Sequence, residues 1–165
     1  MVGMRALVVA VLVLAATSGA ARAADPDPEA NKQLFRSLID DMWNKHDPGA
    51  ADRYVAPDFI EHNPRLPSGL AGRKQFVASV LAAFSDYHGE VQAIVAEGNI
   101  VVARVLWTGT NDGALQGRPP TGNKLVFSTA DFLRVENGKF VEHWDVVDTL
   151  ARATALGLVP APKSP

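Results

Sequence analysis

The sequence contains no cysteine among its 165 residues. This absence excludes a disulfide framework, a thiol nucleophile, a cysteine-ligated zinc or iron–sulfur site, and lipid attachment through cysteine. An excess of basic residues is also lacking, since 16 Lys and Arg stand against 18 Asp and Glu, for a formal net charge of −2. Proteins that bind nucleic acid concentrate Lys and Arg on one face, so we expect no nucleic-acid partner. Any chemistry rests on carboxylates, histidines, hydroxyls or the backbone.

Several catalytic signatures are missing as well. The sequence has no G-x-S-x-G nucleophile elbow, no H-E-x-x-H pair and no phosphate-binding glycine loop. Glu61 with His62, and His143 with Asp145, offer oxygen and imidazole ligands, but adjacent residues on a strand face opposite ways. We therefore predict no metal and no cofactor.

Long apolar runs are confined to the N-terminal end. Met1 to Ala23 holds 17 hydrophobic residues in 23, with Arg5 before a run from Ala6 to Ala16. Ala21-Arg22-Ala23 matches an A-x-A cleavage site, which predicts a signal peptide over residues 1–23. The alternative is a retained anchor, for which a run of ~20 apolar residues is typical. We expect export to the periplasm or the exterior, without a stable membrane anchor after cleavage.

Helical patterns dominate the first half of the chain, after a predicted linker at residues 24–29. Apolar residues at helical spacing predict a helix from about Glu29 to Lys45. Asp47-Pro48-Gly49 ends it, and Ala50 to Val55 has room for one more turn. A second helix follows Pro67-Ser68-Gly69, because one face is again apolar: Phe76, Val77, Val80, Leu81 and Phe84.

Strands dominate the second half, where the hydrophobic period is two. Glu97-Gly98-Asn99 and Glu136-Asn137-Gly138 predict hairpin turns. The predicted strands are Phe59 to His62, a segment after Tyr87 in which Val91, Ala93 and Val95 alternate, Ile100 to Thr110, Lys124 to Val135, and Lys139 to Val147. A short helix over Thr149 to Leu156 and a flexible tail at residues 158–165 complete the chain. Helices before hairpin-linked strands predict an α+β domain, with helices covering one face of a curved antiparallel sheet.

Polar residues interrupt two of the apolar strand faces. Asp131 and Thr129 share a face with Phe127 and Leu133. Three explanations are open for a carboxylate among apolar neighbours: the face is partly exposed, Asp131 pairs with Arg104 across the strands, or Asp131 belongs to a functional site. His143 and Asp145 project the same way from the last strand, either as a plain surface pair or as an acid/base unit.

Three segments together carry a family resemblance. They are Tyr54 to Pro64, Pro119 to Gly122, and Asn137 to Asp148. Over about Ala30 to Gly157 the chain resembles the SnoaL-like polyketide cyclases, or predicted ester cyclases, of the nuclear-transport-factor-2-like superfamily. The resemblance implies one domain over residues 30–157, a cone-shaped α+β barrel around a deep apolar cavity.

The resemblance also implies roles for individual residues. SnoaL-type cyclases close a polyketide ring by intramolecular aldol chemistry without metal or cofactor, and an Asp that Asp145 resembles serves as acid/base. Asp131 stands where these cyclases present a His, which leaves His62 or His143 to supply the donor. Ketosteroid isomerases of the superfamily carry their base Asp where this chain has Asn63, which argues against that isomerase route. A hydratase or epoxide hydrolase, in which Asp131 and Asp145 orient a water, stays open.

The catalytic candidates are thus Asp145, Asp131 and His143, and the expected ligand is a small apolar or aromatic carbonyl compound. Candidate ligand-binding residues are His62, Asn63, Trp43, Trp107, Phe127 and Thr129. The other interpretation of the aromatic ones is plain core packing, which is the commoner role of such residues. A non-catalytic binding protein that uses the same cavity is one alternative, and a dimeric structural module is another. We expect a homodimer through the sheet face, where Trp144 and Val146 lie opposite Asp145.

Overall fold

The computed structural model describes residues 27–160. The predicted signal peptide, the linker before residue 27 and the tail beyond residue 160 lie outside these residues. Among the helices of the described part, none is long and apolar enough to cross a membrane.

The first helix begins where the Asp27 carboxylate accepts hydrogen bonds from the backbone N–H groups of Glu29 and Ala30. This cap starts the helix at Pro28, inside the predicted linker. The helix then continues as a π-helical segment that ends close to the predicted Lys45. The helical elements are α1 (Pro28–Leu38), the π-helix (Ile39–Asn44), a 3₁₀ turn (Pro48–Ala50), α2 (Ala51–Tyr54), α3 (Gly69–Ala83) and α4 (Thr149–Ala155).

Five strands form one curved sheet that does not close, in the order β1-β5-β4-β3-β2. Neighbours among β2 to β5 are antiparallel, while β1 lies parallel to β5 at one edge. Asn137 and Gly138 between β4 and β5 both have positive φ, at 50° and 71°, as a type I′ turn requires. The bounds are β1 (Val55–Glu61), β2 (His88–Glu97), β3 (Ile100–Thr110), β4 (Lys124–Glu136) and β5 (Lys139–Val147). The predicted α+β class is confirmed.

The second strand departs from the predicted alternation. Its pairing with β3 shifts between Val91 and Ala93, so one extra residue is inserted there. Beyond the shift, Ile94 and Ala96 pack against the core, while Val95 is 65% exposed. The prediction that Val91, Ala93 and Val95 share one face was therefore wrong, because a one-residue slip sends every later side chain to the other face.

The helices cover the inner face of the sheet. Val101, Val105 and Trp107 of β3 are buried there with Phe127 and Leu133 of β4. The shared face of Phe127 and Leu133 was predicted. On the outer face, Val126 and Val146 are 54% and 66% exposed. Trp144, a neighbour of Val146, stacks on His62. The homodimer through this face stays a prediction.

Candidate active site

A cavity of about 740 Å³ lies between the inner face of the sheet and the helices. The wall includes the three catalytic candidates Asp131, His143 and Asp145. It also includes all six candidate ligand-binding residues, which are Trp43, His62, Asn63, Trp107, Phe127 and Thr129. Strand pairing brings together the six of these residues that lie on β3, β4 and β5. Trp43 comes from the π-helix, and His62 and Asn63 come from the segment after β1.

Asp131 and Asp145 are paired directly across β4 and β5. His143, two residues before Asp145, projects from the same face, and its Nε2 lies 3.2 Å from Asp131 Oδ1. The alternative pairing of Asp131 with Arg104 is wrong. Arg104 lies opposite Ala130 and donates to Ser128 Oγ at 3.2 Å on the outer side of the sheet.

Glu61 joins this group because β1 runs beside β5, with Glu61 in register with His143. Nδ1 of His143 lies 3.0 and 2.9 Å from the two carboxylate oxygens of Glu61. Burial opposes charge on both side chains, which are only 3% and 1% exposed. Nevertheless, the hydrogen bonds to Asp131 and Glu61 raise the pKa of His143, and those from His143 and the Asn63 backbone lower the pKa of Glu61. The raised pKa thus favours the imidazolium form of His143, which can donate to a carboxylate on each side.

Asn63 positions Asp145 from the loop that follows β1. Its Nδ2 donates to both carboxylate oxygens of Asp145, at 2.9 and 3.0 Å. Its backbone N–H donates to Glu61 Oε1 at 3.0 Å, so the same residue is fixed on both carboxylates. Asn63, Asp145, Asp131, His143 and Glu61 are called the acid–base cluster below.

Another part of the cavity lining is aromatic. The rings of Trp43, Tyr87 and Trp107 contact one another with centroids 5.2 to 5.5 Å apart, and Phe76 packs on Trp43 at 6.0 Å. These four residues are called the aromatic wall. One link joins the wall to the acid–base cluster. Trp107 Nε1 donates to Thr129 Oγ1 at 2.9 Å, and that hydroxyl donates to Asp131 Oδ2 at 2.5 Å.

His62 stands apart from the acid–base cluster. Its side chain is 38% exposed, its Nε2 lies 3.0 Å from Glu142 Oε2, and its ring stacks on Trp144 with centroids 4.4 Å apart. His62 is one of the residues that line the cavity, but its Nε2 is turned to Glu142. Of the two histidines expected to replace the missing donor, His143 has both ring nitrogens bonded to carboxylates and His62 has one.

Asp131, His143 and Asp145 also meet the geometry of a cation site, since one ligand atom of each lies within 4.8 Å of the others. A metal requires a neutral histidine nitrogen. Here Nε2 and Nδ1 of His143 both face carboxylates, so a cation must displace the proton shared with Asp131. The absence of a metal stays a prediction.

Four residues of the site were not among the predicted site residues: Tyr87 and Phe76 of the aromatic wall, and the charged residues Glu61 and Arg73. Arg73 on α3 is 9% exposed, and its Nη1 lies 3.7 Å from Glu61 Oε2. Its spacing to Val77, Val80 and Phe84 is that of one helix face, which was the available signal. For Glu61 the signal was its alternation with the buried Phe59.

Solved structures with the same fold include that of TsrD from Streptomyces laurentii. It is 26% identical with a TM-score of 0.74, and the match covers 81% of this chain and 98% of that chain. AclR from Streptomyces galilaeus is 30% identical with a TM-score of 0.74, over 83% of this chain and 87% of that chain.

Two curated relatives are similar in sequence. Aklanonic acid methyl ester cyclase DauD of Streptomyces sp. (strain C5) is 32% identical over 108 residues, which are 63% of this chain and 65% of that protein. Aklanonic acid methyl ester cyclase DnrD of Streptomyces peucetius is 32% identical over 108 residues, 63% of this chain and 72% of that protein. The family model of the SnoaL-like polyketide cyclases matches residues 33–156. This chain therefore belongs to the SnoaL-like polyketide cyclase family, as the motifs of β1 and β5 predicted.

Proposed function

We propose that this protein is a cofactor-independent enzyme of cyclase or isomerase type, in which Asp145 removes a C–H proton next to a carbonyl group. The observation that supports the proposal most directly is the setting of Asp145. Its carboxylate lines the cavity, and both oxygens are oriented by a single amide, that of Asn63. A positioned carboxylate with unused lone pairs is what a general base requires.

The reaction needs no co-reactant. Asp145 takes the proton, the C–H electron pair forms a carbon–carbon double bond, and the carbonyl oxygen becomes an enolate. In a cyclisation, the enolate carbon then attacks a second carbonyl carbon of the same molecule, and the resulting alkoxide recovers the proton from Asp145. Positioning of the two carbonyl groups in a closed site supplies much of the rate enhancement of such intramolecular steps.

The ligand class follows from the wall and from the relatives. Trp43, Tyr87 and Trp107 line the cavity with three rings in mutual contact, which suits a flat apolar or aromatic compound. The two relatives are named for a methyl ester, which is a carbonyl compound. We propose an aromatic carbonyl compound as the ligand, with Phe127 and Thr129 contributing to the same wall.

We further propose that the protein acts outside the cytoplasm after removal of residues 1–23. The support is the charged start, the apolar run and the A-x-A site of the sequence. Intact-mass measurement of the protein from a periplasmic or culture fraction tests this directly, with a first residue of Ala24 as the expected result. A chain that retains Met1 in the cytoplasmic fraction contradicts it.

The enzyme proposal is tested by hydrogen–deuterium exchange at the α-carbon of aromatic β-keto esters, followed by NMR in D2O. We expect the wild-type protein to accelerate exchange and Asp145→Asn to lose roughly 10³-fold of that rate, within the range of general-base contributions. Asp58→Asn is the matched control, because Asp58 is an exposed carboxylate on β1. Equal rates for Asp145→Asn and wild type exclude Asp145 as the base.

The same experiment separates catalysis from simple binding. Esters that raise the melting temperature of the wild-type protein are bound, because binding to the folded state alone stabilises it. If such esters are bound but none exchanges faster than in buffer, the protein is a non-catalytic binding protein.

A further inference from the structure

Arg73 is a buried cation whose hydrogen-bonding capacity is almost unused. A guanidinium has five N–H donors. Its nearest carboxylate oxygen, on Glu61, lies 3.7 Å from Nη1, beyond hydrogen-bond distance. Within residues 27–160 the other close groups are aromatic, since the guanidinium carbon lies 5.8 Å from the ring centroids of both Trp43 and Phe76. No hydrogen bond from its side chain is found among these residues.

Leaving such donors unpaired is costly in a buried place. Arg73 lines the cavity and is 9% exposed, so the partner for its free N–H groups is whatever occupies the cavity. Burial lowers the pKa of Arg73, and the charges of Glu61, Asp131 and Asp145 oppose that change. The guanidinium keeps its proton in any protein environment. It is therefore a fixed positive charge beside the acid–base cluster.

Enolate formation needs a donor for the oxygen that becomes negative. The polar groups nearest Asp145 are already occupied. Both nitrogens of His143 bond to carboxylates, and the side-chain amide of Asn63 donates to Asp145 itself. The Thr129 hydroxyl donates to Asp131, and His62 bonds to Glu142. Four arginines line the cavity, of which Arg65 and Arg118 are exposed and Arg152 is half-buried. Arg73 is the buried one, and its free donors lie beside Glu61.

We propose that Arg73 binds the carbonyl oxygen of the ligand and stabilises it as an enolate, opposite the base Asp145. This proposal rests on the proposed function and adds a second catalytic residue together with a ligand class, the enolisable carbonyl compounds. The proton passes to Asp145 while the electron pair of the carbonyl bond comes to rest on oxygen, where the Arg73 N–H groups donate.

The charges next to Asp145 favour a ligand whose carbonyl group is neutral when it binds. At this point the carboxylates of Glu61, Asp131 and Asp145 outnumber the positive charges of Arg73 and His143, so an anion beside Asp145 is repelled, although Arg65, Arg118 and Arg152 line the same cavity. When a neutral carbonyl compound ionises, however, Asp145 becomes neutral by the same step, and the total charge of the site does not change. An anion analogue should therefore bind better once Asp145 is made neutral.

The test uses 4-nitrophenol, whose phenolate form has its own visible absorption band and resembles an enolate. We expect Asp145→Asn to bind the phenolate at least about tenfold more tightly than wild type. In that background, Arg73→Gln should lower the affinity at least about tenfold and remove the phenolate band of the bound form, since hydrogen bonds to charged groups are the strong ones. Arg104→Gln removes a positive charge from the outer face of the sheet and should change neither quantity.

Two further outcomes decide the matter. If Asp145→Asn with Arg73→Gln binds the phenolate as tightly as Asp145→Asn alone, with the same band, Arg73 is not the oxyanion donor. To cover a failure of Arg73→Gln to fold, the side-chain N–H signals of Arg73 are also followed by ¹⁵N NMR in Asp145→Asn, assigned by comparison with Arg73→Lys. Signals that do not move on addition of 4-nitrophenol overturn the proposal. None of these binding measurements depends on turnover. If Asp145→Asn exchanges as fast as wild type, the proposed function fails, and that result is separate from the outcome for Arg73.

Discussion

The acid–base cluster and the aromatic wall line the same cavity but are held in place by different forces. In the cluster, Glu61, His143 and Asp131 form a continuous chain of charged hydrogen bonds. The aromatic wall is held by ring packing, and its Trp43 Nε1 is buried without any hydrogen-bond partner among the described residues. The cluster therefore depends on protons, whereas the wall depends on shape and apolar area.

This difference separates two tasks that the cavity must perform. Ring packing is insensitive to pH, so the wall can hold a flat ligand under any condition in which the protein folds. Proton transfer needs groups whose charge changes, and these are concentrated on β1, β4 and β5. A variant in one region should consequently leave the signature of the other intact.

The largest effect is expected from Trp43→Ala. Trp43 is 4% exposed and contacts the rings of Phe76, Tyr87 and Trp107, so its truncation opens a large cavity. We expect a loss of about 4 kcal/mol in the free energy of unfolding, in the range found for such truncations. Urea unfolding at pH 5.5 and 8 measures it, and the loss should be equal at both. Val95→Ala is the control, because Val95 is 65% exposed and should change stability by about 0.5 kcal/mol or less.

The two regions also differ in how far the sequence revealed them. Two placements follow from local periodicity, which the strands of the hairpins obey: Asp131 shares a face of β4 with Thr129, and His143 shares a face of β5 with Asp145. Glu61 reaches His143 only because β1 lies parallel to β5, and a pairing between distant segments leaves no local pattern. Arg73 was overlooked for a related reason. A charged residue on an apolar helix face normally extends to solvent, and only the three-dimensional fold shows that this one is covered.

The inserted residue in β2 was hidden from the sequence in a similar way. Nothing in the residues from Val91 to Ala93 distinguishes a strand with an inserted residue from a regular one, so the face of Val95 was not predictable. By contrast, Asn137 and Gly138 encode their turn directly, because both central positions of a type I′ turn need positive φ. Local backbone chemistry was therefore predictable, and long-range register was not.

The next largest effect is expected from His143→Gln. Removing the imidazolium leaves the Glu61 and Asp131 carboxylates facing an uncharged amide, so a buried ionic group loses its compensating charge. We expect a loss of about 3 kcal/mol near pH 6. Urea unfolding beside His88→Gln provides the comparison, since His88 is exposed. A loss as small as that of the control contradicts an ionic link between these strands.

A smaller effect, and a sharper contrast between the regions, is expected from pH. The raised pKa of His143 contributes stability that is complete below its unfolded value near 6.5 and is lost as pH rises through the folded value. The lowered pKa of Glu61 contributes stability above about pH 4.5, which is lost as pH falls through its folded value. Stability should therefore be greatest between these limits. Each tenfold difference in proton affinity between the folded and unfolded protein is equivalent to about 1.4 kcal/mol.

Trp43→Ala and His143→Gln should change the dependence of the free energy of unfolding on pH in different ways. Trp43→Ala should lower the whole curve without changing its shape, because the wall carries no titrating group in this range. His143→Gln should flatten the alkaline side, since the titrating imidazole is gone. If the free energy of unfolding falls equally above pH 6.5 in wild type and in His143→Gln, the loss of stability at alkaline pH is not caused by His143.

The smallest effect concerns the link between the regions, the hydrogen bond from Trp107 Nε1 to Thr129. Trp107→Phe and Trp43→Phe each replace a buried indole by a phenyl ring, but only the first breaks a hydrogen bond, because Trp43 Nε1 has no partner within the described residues. The loss for Trp107→Phe should therefore exceed that for Trp43→Phe by about 1 kcal/mol, the usual net contribution of one hydrogen bond. In a Thr129→Val background, the further loss of stability caused by Trp107→Phe should be close to that caused by Trp43→Phe, because the hydrogen bond is already absent. If Trp107→Phe and Trp43→Phe lose equal stability, the aromatic wall and the acid–base cluster are joined by packing alone. The Thr129 hydroxyl then contributes only through its hydrogen bond to Asp131.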